Sequence, residues 1–298
     1  DELEKFLSEE KQKAEAEGTL FSVHLKATMM KVSDPVLFGA VVKVFFKDVF
    51  EKYESLFKEL GVDPNNGLGD LYKRIAGHEK EAEIKAAIQQ VLDEGPDLAM
   101  VDSDKGITNL NVPSDVIIDA SMPAMIRNSG KMWNKNGDLQ ETKAVIPDRS
   151  YACIYDEAIL FCKENGAFDP VTMGSVSNVG LMAKQAEEYG SHDKTFIAEG
   201  EGVIRAVNAN GDILLSENVS KGDIFRMCQA KDASIRDWVK LAVTRARLSS
   251  TPALFWLDPN RAHDREVEKK VRLYLQDHDL TGLDVRILSP RKAIQESM

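Results

Sequence analysis

Apolar and polar positions follow two rhythms along this chain, and the switches between them mark out its elements. The opening "DELEKFLSEEKQKAEAEG" reads as an acidic helix to about Ala16, followed by Gly18 and a short strand, "LFSVHLKA". From Pro35 to Leu60, the residues Val41, Val44, Phe45, Val49 and Tyr53 keep helical spacing. They predict one long amphipathic helix, with Asp34 as its cap and Pro35 in its first turn. "GVDPNNGLG" reads as loop, and two shorter helices run to about Glu94.

Two apolar runs then end on acids. "DLAMVD" predicts a strand closed by Asp102, and "VIIDASMPAMIR" predicts a buried strand, Val116 to Ile118, that stops at Asp119. A buried carboxylate without a partner is costly, so an acid at a strand tip sits at a rim, in an ion pair or on a metal. Further on, "KMWNKNGDLQETK" holds a turn at Asn136-Gly137-Asp138 and "AVIPD" is another strand. A helix follows from Ser150 to Asn165, stopped by Gly166.

The second part of the chain changes texture. Two alternating runs flank Asn210-Gly211 in "FIAEGEGVIRAVNANGDILLSENV", a hairpin signal. The last third alternates helix "IRDWVKLAVTRARL", strand "PALFWLD", helix "HDREVEKKVRLYLQDH" and strand "LDVRILSP", with a helix start at the end. Helices between strands argue for parallel α/β layers. No repeat or flexible linker is visible. The expected division is soft: an α/β part over 1–194 and a hairpin plus second α/β part over 195–298, which together can form one domain.

The 298 residues carry a formal net charge of −11, which argues against a general nucleic-acid binder. The most apolar stretch, "PVLFGAVVKVFFKDVF", is interrupted by Lys43 and Lys47 and falls short of the roughly 20 apolar residues a membrane span needs. Cys153, Cys162 and Cys228 lack CxxC spacing, which suggests reduced thiols in a reducing, cytoplasmic setting rather than a zinc site. The first residue is Asp1 rather than methionine, so a processed chain or an excised piece is expected.

Candidate chemistry gathers in few places. Asp102, Asp119 and Asp258 each close an apolar run, where a carboxylate is placed to hold Mg²⁺ or Mn²⁺ or, more plainly, to cap the next turn or helix. Lys26 and Lys31 bracket "ATMM", and a lysine leaving an apolar strand can act as base or charge stabiliser; surface solvation is the ordinary alternative. "EEYGSHDKT" brings Tyr189 next to Gly190, as a proton donor at a rim or as a packing tyrosine. His192 and Asp193 in the same run carry metal-ligating groups, but neighbours in sequence seldom converge on one ion, so a structural role is the expectation for that pair. Walker A, GxGxxG and GxSxG motifs are lacking.

The stretches "HLKATMMKVSDP", "GPDLAMV", "GITNLNVPSDVIIDASMPAMIRNSGKMWN", "VSNVGLMAKQAEEYGSHDKTF", "CQAKDASIRDWVKLAVTRAR" and "FWLDPNRAHD" closely resemble the monomeric-type NADP-dependent isocitrate dehydrogenases of bacteria. The likeness runs from about Gly18 to Pro290. It implies the isocitrate/isopropylmalate dehydrogenase type of α/β layering, with flanking helices and an inserted β-hairpin. It implies oxidation of isocitrate to 2-oxoglutarate and CO₂ with NADP⁺ and Mg²⁺ or Mn²⁺, by a full-length monomer. Carried over motif by motif, the resemblance makes Asp119 a metal ligand, Tyr189 the proton donor and Lys26, with Lys31 as the fallback, the catalytic lysine. It also implies a longer protein. The Ser/Asn/Arg-rich substrate motif, the further metal aspartates and most of the NADP site are not in this sequence. The chain alone is therefore expected to be a partial, inactive piece, or else a stand-alone ligand- or partner-binding relative without redox activity.

Overall fold

A computed structural model describes residues 2–28, 31–32, 34–177, 179–180, 195–226 and 230–298. The architecture is mixed α/β, with small sheets among many helices. The chain forms two compact units, each assembled from three separated stretches. The first comprises residues 1–117, 130–145 and 190–227; the second comprises 118–129, 146–189 and 228–298.

The first unit is built on a three-stranded sheet. Leu20–Val23 pairs parallel to Leu139–Val145, which pairs antiparallel to Lys131–Trp133 across the Asn134–Asp138 turn. Asn134 closes that turn by accepting the backbone N–H groups of Asn136 and Asp138, and Gly137 takes a φ of +80° that disfavours other residues. On the far side, Phe21 exchanges backbone hydrogen bonds with Asp97 and Ala99. All four residues of Leu20–Val23 are buried, as a strand covered on both faces must be. The Glu2–Glu17 helix packs through Leu7 and Ala14, and the Pro35–Phe45 helix through Phe38, Val41, Val42 and Phe45.

The long helix expected over 35–60 is three helices in series, Pro35–Phe45, Lys47–Lys52 and Glu54–Glu59. Helical spacing persists through the series, because the Phe50 N–H still donates to the Phe46 carbonyl and that of Phe57 to Tyr53, four residues back. The breaks fall at Phe46 and Tyr53, whose φ near −110° opens the turn while both rings stay buried. Gly39 lets the 3₁₀ turn Pro64–Asn66 lie against the first of these helices; a Cβ there would overlap the Asn65 side chain. The single expected strand "LFSVHLKA" is likewise divided into Leu20–Val23 and Ala27–Thr28, with Leu25 bridged to Ile117 between them.

Asp34 begins the Pro35–Phe45 helix, but its side chain makes no capping bond. It accepts instead from Arg226 at 2.7 Å and from the Thr195 hydroxyl at 3.2 Å. Both ion-pair partners are less than a fifth exposed. The pair therefore ties the helix start to the Thr195–Ile197/Ile224–Arg226 ribbon.

The second unit is a right-sized βαβ element with extra helices. Ala253–Trp256 runs parallel to Val285–Leu288, and the Ala262–Leu275 helix connects them. Val239, Phe255, Val267, Val271 and Tyr274 form its core with the Asp232–Ser249 helix. The Arg149–Asn165 helix is capped by Asp148, which accepts from the Ser150 N–H, and is stopped at Gly166 as its sequence predicted.

Candidate active site

The strand expected at Val116–Ile118 is not there. Pro113–Val116 is a 3₁₀ turn, Ile117 alone is extended, and Ile118–Arg127 is an α-helix. Asp119 is therefore the second residue of a helix and solvent-exposed, so no buried carboxylate has to be explained. The apolar run misled because Val116, Ile117 and Ile118 are all buried in succession. The correcting signal lay further on: Ile118, Met122 and Met125 recur at helical spacing and are the residues the helix buries.

This placement sets the electrostatics of Asp119. A first-turn carboxylate faces the positive end of the helix dipole, and Arg127 complements the other end. Pro123 sits inside the helix without an N–H, so the Asp119 carbonyl lacks the donor it would otherwise find four residues on. The Asp119 side chain is hydrogen-bonded to Tyr155 of the Arg149–Asn165 helix. The Tyr155 hydroxyl also lies 3.5 Å from the Ile118 carbonyl oxygen. Burial first, then the Asp119 charge and hydrogen bond, push the Tyr155 phenol up to about 12. It stays protonated and donates to the carboxylate throughout the neutral range. Sequence reading passed over Tyr155, which sits in a plain helical pattern.

Lys26 belongs to the first unit and is half-buried between Leu20–Val23 and Ala27–Thr28. The backbone places it directly after Leu25, whose N–H donates to the Val116 carbonyl, and two residues after His24, whose N–H donates to Val145. Lys31 opens the two-residue strand Lys31–Val32. Tyr189, with its neighbours His192 and Asp193, lies outside the described residues.

The other two strand-closing acids have structural partners. Asp102 accepts from the Lys105 backbone and ammonium groups, which hold its carboxyl below the usual range. Asp258 accepts from the Asn260 N–H and closes a turn before the Ala262–Leu275 helix. The buried anion beside that turn is Asp264, in the first turn of the helix, bonded to Arg261, to His263 and to the Asp258 N–H. Among the described residues, no group of three or more His, Cys, Asp or Glu converges as a metal ion would require. One carboxylate is short of the six or so oxygens Mg²⁺ takes. The described residues do not by themselves make a divalent-ion site.

The family model of monomeric isocitrate dehydrogenase matches residues 1–298. The chain belongs to the monomeric isocitrate dehydrogenase family. It is 60% identical to an isocitrate dehydrogenase [NADP] of Azotobacter vinelandii, over 99% of this chain and 40% of that protein. It is 59% identical to isocitrate dehydrogenase [NADP] 2 of Colwellia maris, over 98% of the chain and 40% of the relative. With isocitrate dehydrogenase [NADP] 2 of Mycobacterium tuberculosis the identity is 56%, over 97% and 39%. The chain thus spans about two fifths of the length of the relatives it matches. Within this family frame, Asp119 with its Tyr155 partner and Lys26 are the described candidates for site residues.

Proposed function

We propose that this chain contributes part of the active site of an NADP-dependent isocitrate dehydrogenase, which oxidises isocitrate to 2-oxoglutarate and CO₂. The observation that carries the reading is the family match over all 298 residues, joined to relatives 54–60% identical that are named for isocitrate and NADP. The reaction transfers hydride from C2 to NADP⁺, expels CO₂ and protonates the resulting enol at carbon. In this reading Lys26 serves the proton transfer at the hydroxyl, with Lys31 as the fallback, and Tyr189 protonates the enol carbon. Asp119 donates one ligand to Mg²⁺ or Mn²⁺, and the remaining ligands and most of the NADP site come from family-length polypeptide beyond these residues. The family's layered fold, its monomeric state and a cytoplasmic setting go with the same reading. No helix among the described residues is long and apolar enough to cross a membrane.

A second reading, a ligand- or partner-binding relative without redox activity, draws on the single carboxylate at Asp119 and the lack of any three-ligand group among the described residues. One experiment separates the two. The 298 residues are placed in the corresponding stretch of the Azotobacter vinelandii relative, and Lys26→Met, Tyr189→Phe and Asp119→Asn are made in that hybrid. Acid–base roles predict kcat losses of about 10²–10⁴-fold for the first two. Weakened Mn²⁺ binding is predicted for the third. Unchanged kinetics and metal affinity in all three would remove the catalytic reading.

A further inference from the structure

The Gly202–Val207 and Ile213–Val219 strands form a two-stranded antiparallel ribbon with no third strand among the described residues. Its tip is apolar and open to solvent: Val207, Ile213, Leu214 and Leu215 are all exposed, the two leucines by 64% and 63%. The tip is also rigidly built. Asn208 accepts from the Asn210 and Asp212 N–H groups, its own N–H donates to the Asp212 carbonyl, and its amide donates to the Asp212 carboxylate. Asn208 and Asp212 are thus bonded to each other within the turn, while Val207 faces Ile213 across the strands. An irregularity between Ile213 and Leu215 adds Leu214 to the same patch. An isolated two-stranded ribbon is marginal in water, and a contiguous exposed apolar cluster on it marks a surface that is covered in the working molecule.

We infer that this ribbon tip is a docking surface within the family-length protein, covered there by apolar side chains from polypeptide outside residues 1–298. Two observations select this occupant over a second copy of the chain. The chain spans only about 40% of its relatives, so most of their polypeptide is available to cover the tip. The matching family is described as monomeric, and copies each carrying a net charge of −11 repel one another. The inference rests on family membership and not on any catalytic assignment.

Hydrogen exchange, read by mass spectrometry over residues 203–219, tests it in the isolated chain and in the Azotobacter vinelandii hybrid. The expected result is exchange slowed at least about tenfold in the hybrid. Leu214→Glu with Leu215→Glu should lower the hybrid's Tm and leave that of the isolated chain unchanged. Equal exchange in both proteins, or a hybrid indifferent to the glutamates, would overturn the inference. So would a hybrid dimer, seen by light scattering, that those glutamates dissolve. Should the hybrid not fold, the same exchange comparison is made with the native Azotobacter vinelandii relative at its aligned ribbon; fast exchange there is equally fatal.

Discussion

The Tyr155 phenol holds the Asp119 carboxylate across two helices, Arg149–Asn165 and Ile118–Arg127. The two residues are 36 positions apart, and only the folded chain makes them partners. The same hydroxyl lies 3.5 Å from the Ile118 carbonyl oxygen, so it meets the first turn of the Ile118–Arg127 helix at two acceptors.

This relationship is measurable by ultraviolet titration of tyrosinate, with Tyr155→Phe identifying the signal. Tyr155 should ionise near 12, against an ordinary 10.0. Asp119→Asn removes the negative charge that opposes ionisation, so the midpoint should fall. It should stay above 10.0, because burial, the largest cause, is untouched. A midpoint that does not move in Asp119→Asn would separate the two residues.

His24 makes the first unit acid-sensitive. It is fully buried, and burial lowers its imidazole from 6.5 to about 4. The unfolded chain therefore takes up a proton first as pH falls. Stability is complete above about 6.5, declines below it and levels off near 4, a loss of roughly 3 kcal/mol at most. Urea titrations across that window should show the decline, and His24→Asn should flatten it. A parallel decline in the variant would assign the acid sensitivity elsewhere.

Asp34 and Arg226 form a largely desolvated pair, in contrast to the exposed i,i+4 pairs on the helices. A double-mutant cycle with Asp34→Asn and Arg226→Met should give a coupling of about 1–2 kcal/mol, above the ~0.5 kcal/mol typical of surface pairs. Coupling at the surface value would mean that the ribbon is not anchored there.

Gly39→Ala should lower the Tm by an amount corresponding to about 1–3 kcal/mol, because the added methyl meets the Asn65 side chain and its backbone nitrogen. Asn65→Ala in the same chain should restore part of the loss. No rescue would place the strain in the backbone alone.

Much of the fold was legible from periodicity. The βαβ run over 253–288, the Asn210-Gly211 hairpin and the helix expected over Ser150–Asn165 with its Gly166 stop stand where their patterns put them. The failures have two causes. At Val116–Ile118, burial of three residues in succession erases the period that separates strand from helix; at Phe46 and Tyr53 the helical period continues through each break and so hides it. Pairings over long separations left no local trace. Arg226 with Asp34, Tyr155 with Asp119, and the assembly of each unit from three stretches emerge only in three dimensions.

The proposed function makes these residues a working part of an isocitrate dehydrogenase whose site needs polypeptide beyond them. The direct measurement is NADPH formation with isocitrate, NADP⁺ and Mn²⁺, by the 298-residue chain alone and by its hybrid with the Azotobacter vinelandii relative. Turnover by the hybrid and none by the chain alone is the expected result. Turnover by the chain alone, or a folded hybrid that makes no NADPH, would contradict it.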